Sequence, residues 1–169
     1  MKIINHLDQA IRTDILEHHP FFSTKIDQYL KWAPLASILC LDALGVQTRN
    51  KWKDHLIIVS GSYTLSNGAV QGLKKITKEI RPNFSPKENS FPSAHTATCF
   101  LGAEILHQEL KDNYPIAGYL GYGLATTTGI LRLYKNKHWL SDVVCGAALG
   151  ILTVKIVYSL FKKTRNKQN

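Results

Sequence analysis

Two histidines and an aspartate have the types and spacing that nucleophilic catalysis requires. His138 and Asp142 are four residues apart, so on a helix they lie on one face. The Asp142 carboxylate can then accept a hydrogen bond from one ring nitrogen of His138 and leave the other nitrogen free to attack. His95 follows Ser93 at the start of a predicted helix, where free backbone N–H groups bind anions. Together these residues indicate chemistry on an anionic group, although a helical His–Asp contact alone is common.

Cationic side chains accompany both histidines. Lys74 and Arg81 follow an apolar stretch and lie about two helical turns apart, and Arg132 precedes His138. Lysine supplies a point charge and arginine a planar fork of donors, so these residues can hold several phosphate oxygens. A basic loop beside an apolar helix is usually only that, so the interpretation depends on all clusters occurring together.

The whole chain of 169 residues is predicted to be one domain, because no repeat or long linker divides it. Its formal net charge of +9 favours an anionic partner. The basic residues stand between apolar stretches and at the C-terminus, which suits membrane-flanking loops better than a nucleic-acid-binding face. The N-terminal segment lacks the continuous apolar core and the cleavage site of a signal peptide.

The elements that must position these residues are predicted to be helices, and the predicted fold is an all-α, membrane-embedded bundle. Residues 1–20 form a short amphipathic helix with an apolar stripe at Ile4, Leu7, Ile11 and Ile15. Such a helix suits the membrane surface and the surface of its own protein equally well. Five longer apolar stretches are predicted to span the bilayer, and residues 162–169 form a basic tail. The stretches cover residues 32–46, 56–73, 91–110, 114–131 and 143–161.

Polar and small residues within these stretches predict how the helices pack. Asp42 and Glu104 must face the interior of the bundle, because a carboxylate exposed to lipid is costly. Glycines such as Gly146 and Gly150 allow close contact between helices in lipid. Several stretches are marginal for the roughly 20 apolar residues that a crossing needs, so a soluble all-helical bundle stays open as the alternative.

The order of the stretches predicts where the clusters meet. If each stretch crosses the membrane once, the loop over residues 74–92 and the loop over residues 132–138 lie on the same face. All three clusters converge on that face. The loops near residues 47–53 and 111 and the basic tail then lie on the opposite face.

In residue types, order and spacing, the three clusters resemble the signature of the type 2 phosphatidic acid phosphatase superfamily. That superfamily also contains bacterial class A acid phosphatases and vanadium haloperoxidases. Its signature reads KxxxxxxRP, then PSGH, then SRxxxxxHxxxD. The matching residues here are Lys74, Arg81 and Pro82, then residues 92–95, then Arg132, His138 and Asp142. The resemblance covers about residues 55–160 and is specific because three separate parts agree.

The resemblance implies a role for each residue. His138 attacks phosphorus and carries the phosphoryl group, Asp142 orients His138, and His95 protonates the leaving oxygen and later activates water. Charge on the transferring phosphoryl group is stabilised by a set of phosphate-binding residues. These are Lys74, Arg81, Ser93, Ala94 and Arg132. The family needs no metal, and no cofactor is expected.

Two positions depart from the family's signature. Ala94 stands where the family has glycine, and it keeps the backbone N–H but tolerates fewer backbone conformations. Leu131 stands where the family has serine, which removes a hydroxyl group. Neither position is charged or nucleophilic, so we expect catalysis to survive both changes.

The resemblance thus implies a multi-pass phosphatase of the bacterial cytoplasmic (inner) membrane, with its active site on the periplasmic or outer face. Relatives act on polyprenyl pyrophosphate, phosphatidate, phosphatidylglycerol phosphate and lipid A phosphates, and the short loops favour a membrane lipid as substrate. Two alternatives stay open: a soluble acid phosphatase or haloperoxidase relative, and a catalytically silent lipid-binding membrane protein. The complete set of cationic and nucleophilic positions argues against the second.

Overall fold

A computed structural model describes residues 6–86 and 89–166, and every regular element in those ranges is an α-helix. The all-α prediction is therefore confirmed. In chain order the helices are α1 (His6–His18), α2 (Ile26–Leu30), α3 (Ala33–Ala43), α4 (Trp52–Thr77), α5 (Ala94–Leu110), α6 (Pro115–Tyr134) and α7 (Leu140–Arg165). The last five correspond to the five predicted apolar stretches, whereas α2 has no counterpart in the sequence prediction.

Helix α5 lies at the centre of the bundle and packs against α3, α4, α6 and α7. Apolar side chains occur around its whole circumference, so it is largely enclosed. The main core cluster draws on α3, α4, α5 and α7. Its buried members are Leu35, Ile38, Ile58, Leu101, Ile105, Leu106, Leu110 and Val154. This packing fixes the position of α5, and the first turn of α5 carries part of the predicted site.

Helix α7 approaches α5 through two glycines. A Cβ atom at Gly146 would lie 2.6 Å from the carbonyl oxygen of Ser93, and one at Gly150 would lie 2.4 Å from that of Ala97. These spaces admit no side chain, as the prediction of close helix contact at these glycines requires. The contact holds the start of α5 beside the first turns of α7, where Asp142 lies.

The outer faces of α4, α6 and α7 carry many exposed large apolar side chains. They include Leu56, Ile57, Ile116, Leu120, Leu152 and Ile156. In the described ranges, α7 is the one helix whose length and apolar composition suffice to cross a membrane, and α3 is a shorter apolar helix. Helix α5 has 17 residues, and polar residues such as Ser60, Ser62 and Asn67 lower the apolar character of α4. The number of about five crossings therefore stays a prediction.

The two carboxylates predicted to face inward do so. Glu104 is 2% exposed; it accepts a hydrogen bond from Gln108 Nε2 at 2.7 Å and another from the hydroxyl of Tyr122. Asp42 Oδ2 lies 2.7 Å from Nδ1 of His55. Protein donors thus satisfy both carboxylates, which lipid could not do.

The N-terminal helix differs from the predicted amphipathic pattern. Ile15 is buried as expected, but Leu7 is 56% exposed and Asp8 is buried. Asp8 Oδ1 accepts a hydrogen bond from the backbone N–H of Ser141 at 2.8 Å. The first N–H groups of α7 lack helical partners and attract a carboxylate, and this overrides the apolar stripe. Ile4 and residues 167–169 of the predicted tail lie outside the described ranges.

Candidate active site

His138 and Asp142 form a buried pair at the start of α7. His138 lies in the short connection after α6, where Asn136 adopts a left-handed conformation with φ of 51° and turns the chain. Asp142 Oδ2 lies 3.0 Å from Nδ1 of His138, and both residues are almost fully enclosed. When Nδ1–H donates to this carboxylate, Nε2 keeps its lone pair. The pair therefore has the geometry of an oriented nucleophile.

Further donors hold the Asp142 carboxylate in place. Its Oδ2 accepts hydrogen bonds from the backbone N–H of Trp139 at 2.9 Å and from Ser90 Oγ at 2.5 Å. The backbone N–H of Ser93 also donates to the main-chain oxygen of Asp142 at 3.0 Å. Sequence reasoning missed Ser90, whose one signal is its place just before the Pro92–His95 segment. These bonds connect the His138–Asp142 pair to the segment that leads into α5.

Ser93 and His95 stand where α5 begins. Ser93 is the N-cap residue, and its Oγ accepts hydrogen bonds from the Thr96 hydroxyl at 2.9 Å and the Thr96 N–H at 3.4 Å. The hydroxyl hydrogen of Ser93 therefore stays available as a donor. His95 lies half-buried in the first turn, and Ala94 is the first helical residue. A helical conformation suits alanine, so the Gly-to-Ala departure introduces no backbone strain.

Lys74 and Arg81 are both held by Asn89, which sequence reasoning also missed. Lys74 Nζ donates to the main-chain oxygens of Asn89 at 2.5 Å and Ser90 at 3.2 Å. Arg81 Nε donates to Asn89 Oδ1 at 3.0 Å. Both cations therefore contact residues 89–90, and Ser90 of that segment also donates to Asp142.

Arg132 and Lys135 both bind Asp27 of α2. Arg132 Nη1 lies 2.5 Å from Asp27 Oδ2, and Lys135 Nζ lies 2.6 Å from Asp27 Oδ1. Asp27 is fully buried and Arg132 is 6% exposed. The Nε of Arg132 has no hydrogen-bond partner among the described residues. No motif in the sequence marks Asp27, which lies 105 positions before its arginine.

Three cationic side chains lie near the His138–Asp142 pair. Electrostatic interactions connect these three cations, Lys74, Arg81 and Arg132. The charge of Asp142 also acts on Lys74 and Arg81. Burial lowers the pKa of Arg81, and the charge of Arg132 lowers it further, against the opposing charge of Asp142. The three cations repel each other, so an anion placed among them is stabilised.

The imidazole ring of His138 is neutral at pH 7. Burial lowers the pKa of His138 to about 4, although the hydrogen bond and charge of Asp142 act in the opposite direction. The neutral form is the one that can attack phosphorus. Desolvation and the surrounding cations thus keep the proton off His138, while Asp142 sets its orientation.

A basic groove adjoins the site on the side of α4. Its volume is about 420 Å³, and it is lined by Gln71, Lys74, Lys75, Lys78 and Asn89. Lys74 therefore contributes both to the groove and to the cationic cluster. Within residues 6–86 and 89–166, no group of three or more His, Cys, Asp or Glu side chains is placed to hold a metal ion.

The arrangement matches a known family. The family model of the PAP2 superfamily covers residues 55–166 of this chain. The chain belongs to the PAP2 superfamily. The resemblance drawn from the three clusters is therefore confirmed, and every residue of the signature falls within the matched range.

Two curated PAP2 relatives show the extent of the similarity. A lipid A 1-phosphatase from Porphyromonas gingivalis is 38% identical over 138 residues, which are 81% of this chain and 31% of the relative. Phosphatidylglycerophosphatase B from Bacillus subtilis is 32% identical over 133 residues, which are 69% of this chain and 62% of the relative. This chain thus spans about a third of the first relative and under two thirds of the second.

A solved PAP2 structure shares the fold. The transmembrane PAP2-type phosphatidylglycerolphosphate phosphatase from Bacillus subtilis superposes with a TM-score of 0.68 at 20% identity. The superposition covers 95% of this chain and 89% of the other. The chain therefore has the helical architecture of that PAP2 membrane protein, including its regions before residue 55.

Proposed function

We propose that the protein is a lipid phosphate or pyrophosphate phosphatase that works through a phosphohistidine. The observation that carries the proposal is the convergence of the buried His138–Asp142 pair with Lys74, Arg81 and Arg132 at one end of the bundle. An oriented neutral imidazole supplies a nucleophile, and three cations supply the charge that a phosphoryl group needs. The phosphatase names of the curated relatives support the same reaction class.

The first half-reaction transfers the phosphoryl group to the enzyme. Nε2 of His138 attacks phosphorus while the bond from phosphorus to the leaving oxygen breaks. The leaving oxygen takes the electron pair and a proton from His95. A phosphate dianion among the cations near His95 favours the protonated form of that histidine before transfer. Asp142 stabilises the positive charge that develops on the His138 ring.

The second half-reaction returns the enzyme to its starting state. A water molecule attacks the phosphohistidine and gives a proton to His95, which now acts as the base. The bond from phosphorus to Nε2 breaks, inorganic phosphate leaves, and His138 regains its lone pair. Because the cations meet the same equatorial oxygens in both steps, one site serves both transition states.

The proposed substrate is a membrane lipid with a phosphate or diphosphate headgroup. The lysine-lined groove beside Lys74 suits additional negative charge on that headgroup. The exposed apolar faces of α4, α6 and α7 suit contact with acyl chains. Phosphatidate, phosphatidylglycerol phosphate, polyprenyl pyrophosphate and lipid A phosphates are the headgroup types to compare.

The proposed setting is the bacterial cytoplasmic membrane, crossed about five times, with the catalytic end towards the periplasm. Helix α1 would then lie at that same end, against the start of α7. Extraction tests the membrane claim. The protein should stay with membranes through high-salt and carbonate washes and enter solution only with detergent, and release by salt alone would contradict it.

The experiment for the activity is phosphate release by detergent-purified protein from the four lipid types and from a soluble aryl phosphate. Reactions contain EDTA, and His138→Ala is compared with wild type. His18→Ala is the matched control, because the His18 side chain is 67% exposed and distant in sequence from the site. Release that resists EDTA and is lost in His138→Ala alone supports the proposal. No release from any lipid would favour the silent lipid-binding alternative, and release from the soluble ester alone would favour the acid-phosphatase alternative.

A further inference from the structure

Asp27 is the one side chain outside the matched PAP2 region that reaches a predicted phosphate-binding residue through a described ion pair. It lies on α2, a short helix that packs against α6 and α5. Both of its carboxylate oxygens accept a hydrogen bond: Oδ2 lies 2.5 Å from Arg132 Nη1 and Oδ1 lies 2.6 Å from Lys135 Nζ. The Asp27 carboxylate is fully buried and has two cationic partners, so these contacts are buried ion pairs and not surface ion pairs.

The contact leaves part of Arg132 free. A guanidinium has five N–H donors in a rigid plane, and Asp27 accepts a hydrogen bond from Nη1. The buried Nε of Arg132 has no partner in the described part of the chain. Because the group is planar and is attached to the side-chain stem through Nε, a bond at Nη1 restricts the directions in which the other donors point. Asp27 therefore restricts the rotation of the Arg132 side chain, and Arg132 keeps N–H donors that no described residue accepts.

Asp27 is also firmly ionised. Burial would raise the pKa of Asp27, but the hydrogen bonds and charges of Lys135 and Arg132 outweigh that effect and lower it. A substrate phosphate that competes for Nη1 of Arg132 would have to displace the Asp27 carboxylate, which is buried and bound by two cations. Displacement is therefore disfavoured, and the free donors of Arg132 are the ones left for the phosphoryl group.

We propose that Asp27 is a positioning residue that holds the guanidinium of Arg132 in the orientation required by the transferring phosphoryl group. The inference rests on the proposed function, and it assigns a specific task to the segment before residue 55. Asp27 acts through Arg132 and touches neither substrate nor nucleophile. Its effect should therefore be larger on the five-coordinate transition state than on a bound tetrahedral phosphate.

The test compares Asp27→Asn and Asp27→Ala with wild type in detergent, using kcat, KM, and inhibition by inorganic phosphate and by orthovanadate. Asparagine keeps the volume of the side chain but removes its charge, so it guards against simple misfolding. Orthovanadate adopts five-coordinate geometry, whereas phosphate stays tetrahedral. Glu104→Gln is the matched control: Glu104 is also a buried carboxylate, but its partners are Gln108 and Tyr122 on α5 and α6.

We expect Asp27→Asn to lower kcat by roughly 10- to 100-fold with KM changed less than about threefold, as for a misplaced catalytic group. Vanadate inhibition should weaken by a similar factor to kcat, and phosphate inhibition should change little. Glu104→Gln should leave all four quantities near wild type. Asp27→Ala should behave like Asp27→Asn or worse.

Two results would overturn the inference. Tighter phosphate binding with unchanged or higher kcat in Asp27→Asn would show that Asp27 competes with substrate for Arg132. Equal weakening of phosphate and vanadate, together with a loss of thermal stability matched by Glu104→Gln, would show a general structural role. Thermal stabilisation by vanadate separates the two proposals. Suppose that the wild-type protein hydrolyses no lipid, but that vanadate raises its unfolding temperature more than it raises that of the Asp27→Asn variant. The proposed function then fails and the positioning role stands.

Discussion

Helix α7 lies so close to α5 at Gly150 that one added methyl group tests the packing. A Cβ atom there would lie 2.4 Å from the carbonyl oxygen of Ala97 and 2.8 Å from the backbone nitrogen of Leu101. Both contacts are backbone atoms, so no side-chain rotation relieves the clash and the helices must separate. In Gly150→Ala, the helical preference of alanine stabilises by roughly 0.5–1 kcal/mol. Overpacking costs about 1–3 kcal/mol, and we expect the upper value because the opposing atoms belong to the backbone of α5. The free energy of unfolding should therefore fall by about 2 kcal/mol in total.

Thermal unfolding in one detergent measures this balance. A loss of about 2 kcal/mol corresponds to a fall of roughly 4–8 °C in the unfolding midpoint for a chain of this size. Gly68→Ala in α4 is the matched control, because a Cβ atom there meets nothing within 4 Å. The control should unfold at or slightly above the wild-type temperature. A Gly150→Ala protein as stable as the control would refute the close α5–α7 contact.

Other outcomes concern the site itself. kcat/KM should not fall as the pH is lowered from 7 to about 5, because His138, with a pKa of about 4, stays neutral there, and because the proton needed on His95 becomes more available; an acid limb centred near the usual histidine value of about 6.5 would contradict this. Asp142→Asn should lower kcat by roughly 10²- to 10⁴-fold, because the ring loses its orienting charge, and a loss under about threefold would refute the orienting role. Ser90→Ala removes a 2.5 Å hydrogen bond to the buried Asp142 and should lower the unfolding free energy by about 1.5–3 kcal/mol. Ser60→Ala, at an exposed position on α4, is its control, and equal effects of the two changes would count against the Ser90 contact.

The helices and the residues of the signature could be predicted from the sequence because both depend on the local pattern of residues. Apolar runs of suitable length gave α3 to α7, and the i, i+4 spacing of His138 and Asp142 gave the pair. The start of α5 at Ala94 follows from Ser93, whose hydroxyl is a good N-cap. Each of these features is decided within a few residues, so no knowledge of the tertiary structure was needed.

The contacts that hold the site together depend on tertiary packing and were missed. Asp27 and Arg132 are 105 positions apart, and α2 is too short to show a helical period. Ser90 and Asn89 lie in a loop, where side-chain partners follow no spacing rule. The sequence pattern of α1 could not show that the carboxylate of Asp8 lies against the first N–H groups of α7.

The most direct test of the central claim is to trap the covalent intermediate. The purified protein is mixed with a lipid substrate labelled with ³²P at the scissile phosphate, quenched within milliseconds in alkali, and digested for peptide analysis. A label that is stable in alkali and labile in acid, located on His138 and absent from His138→Ala, is the predicted result. Turnover without a labelled histidine, or a label that persists in His138→Ala, would contradict the phosphohistidine mechanism.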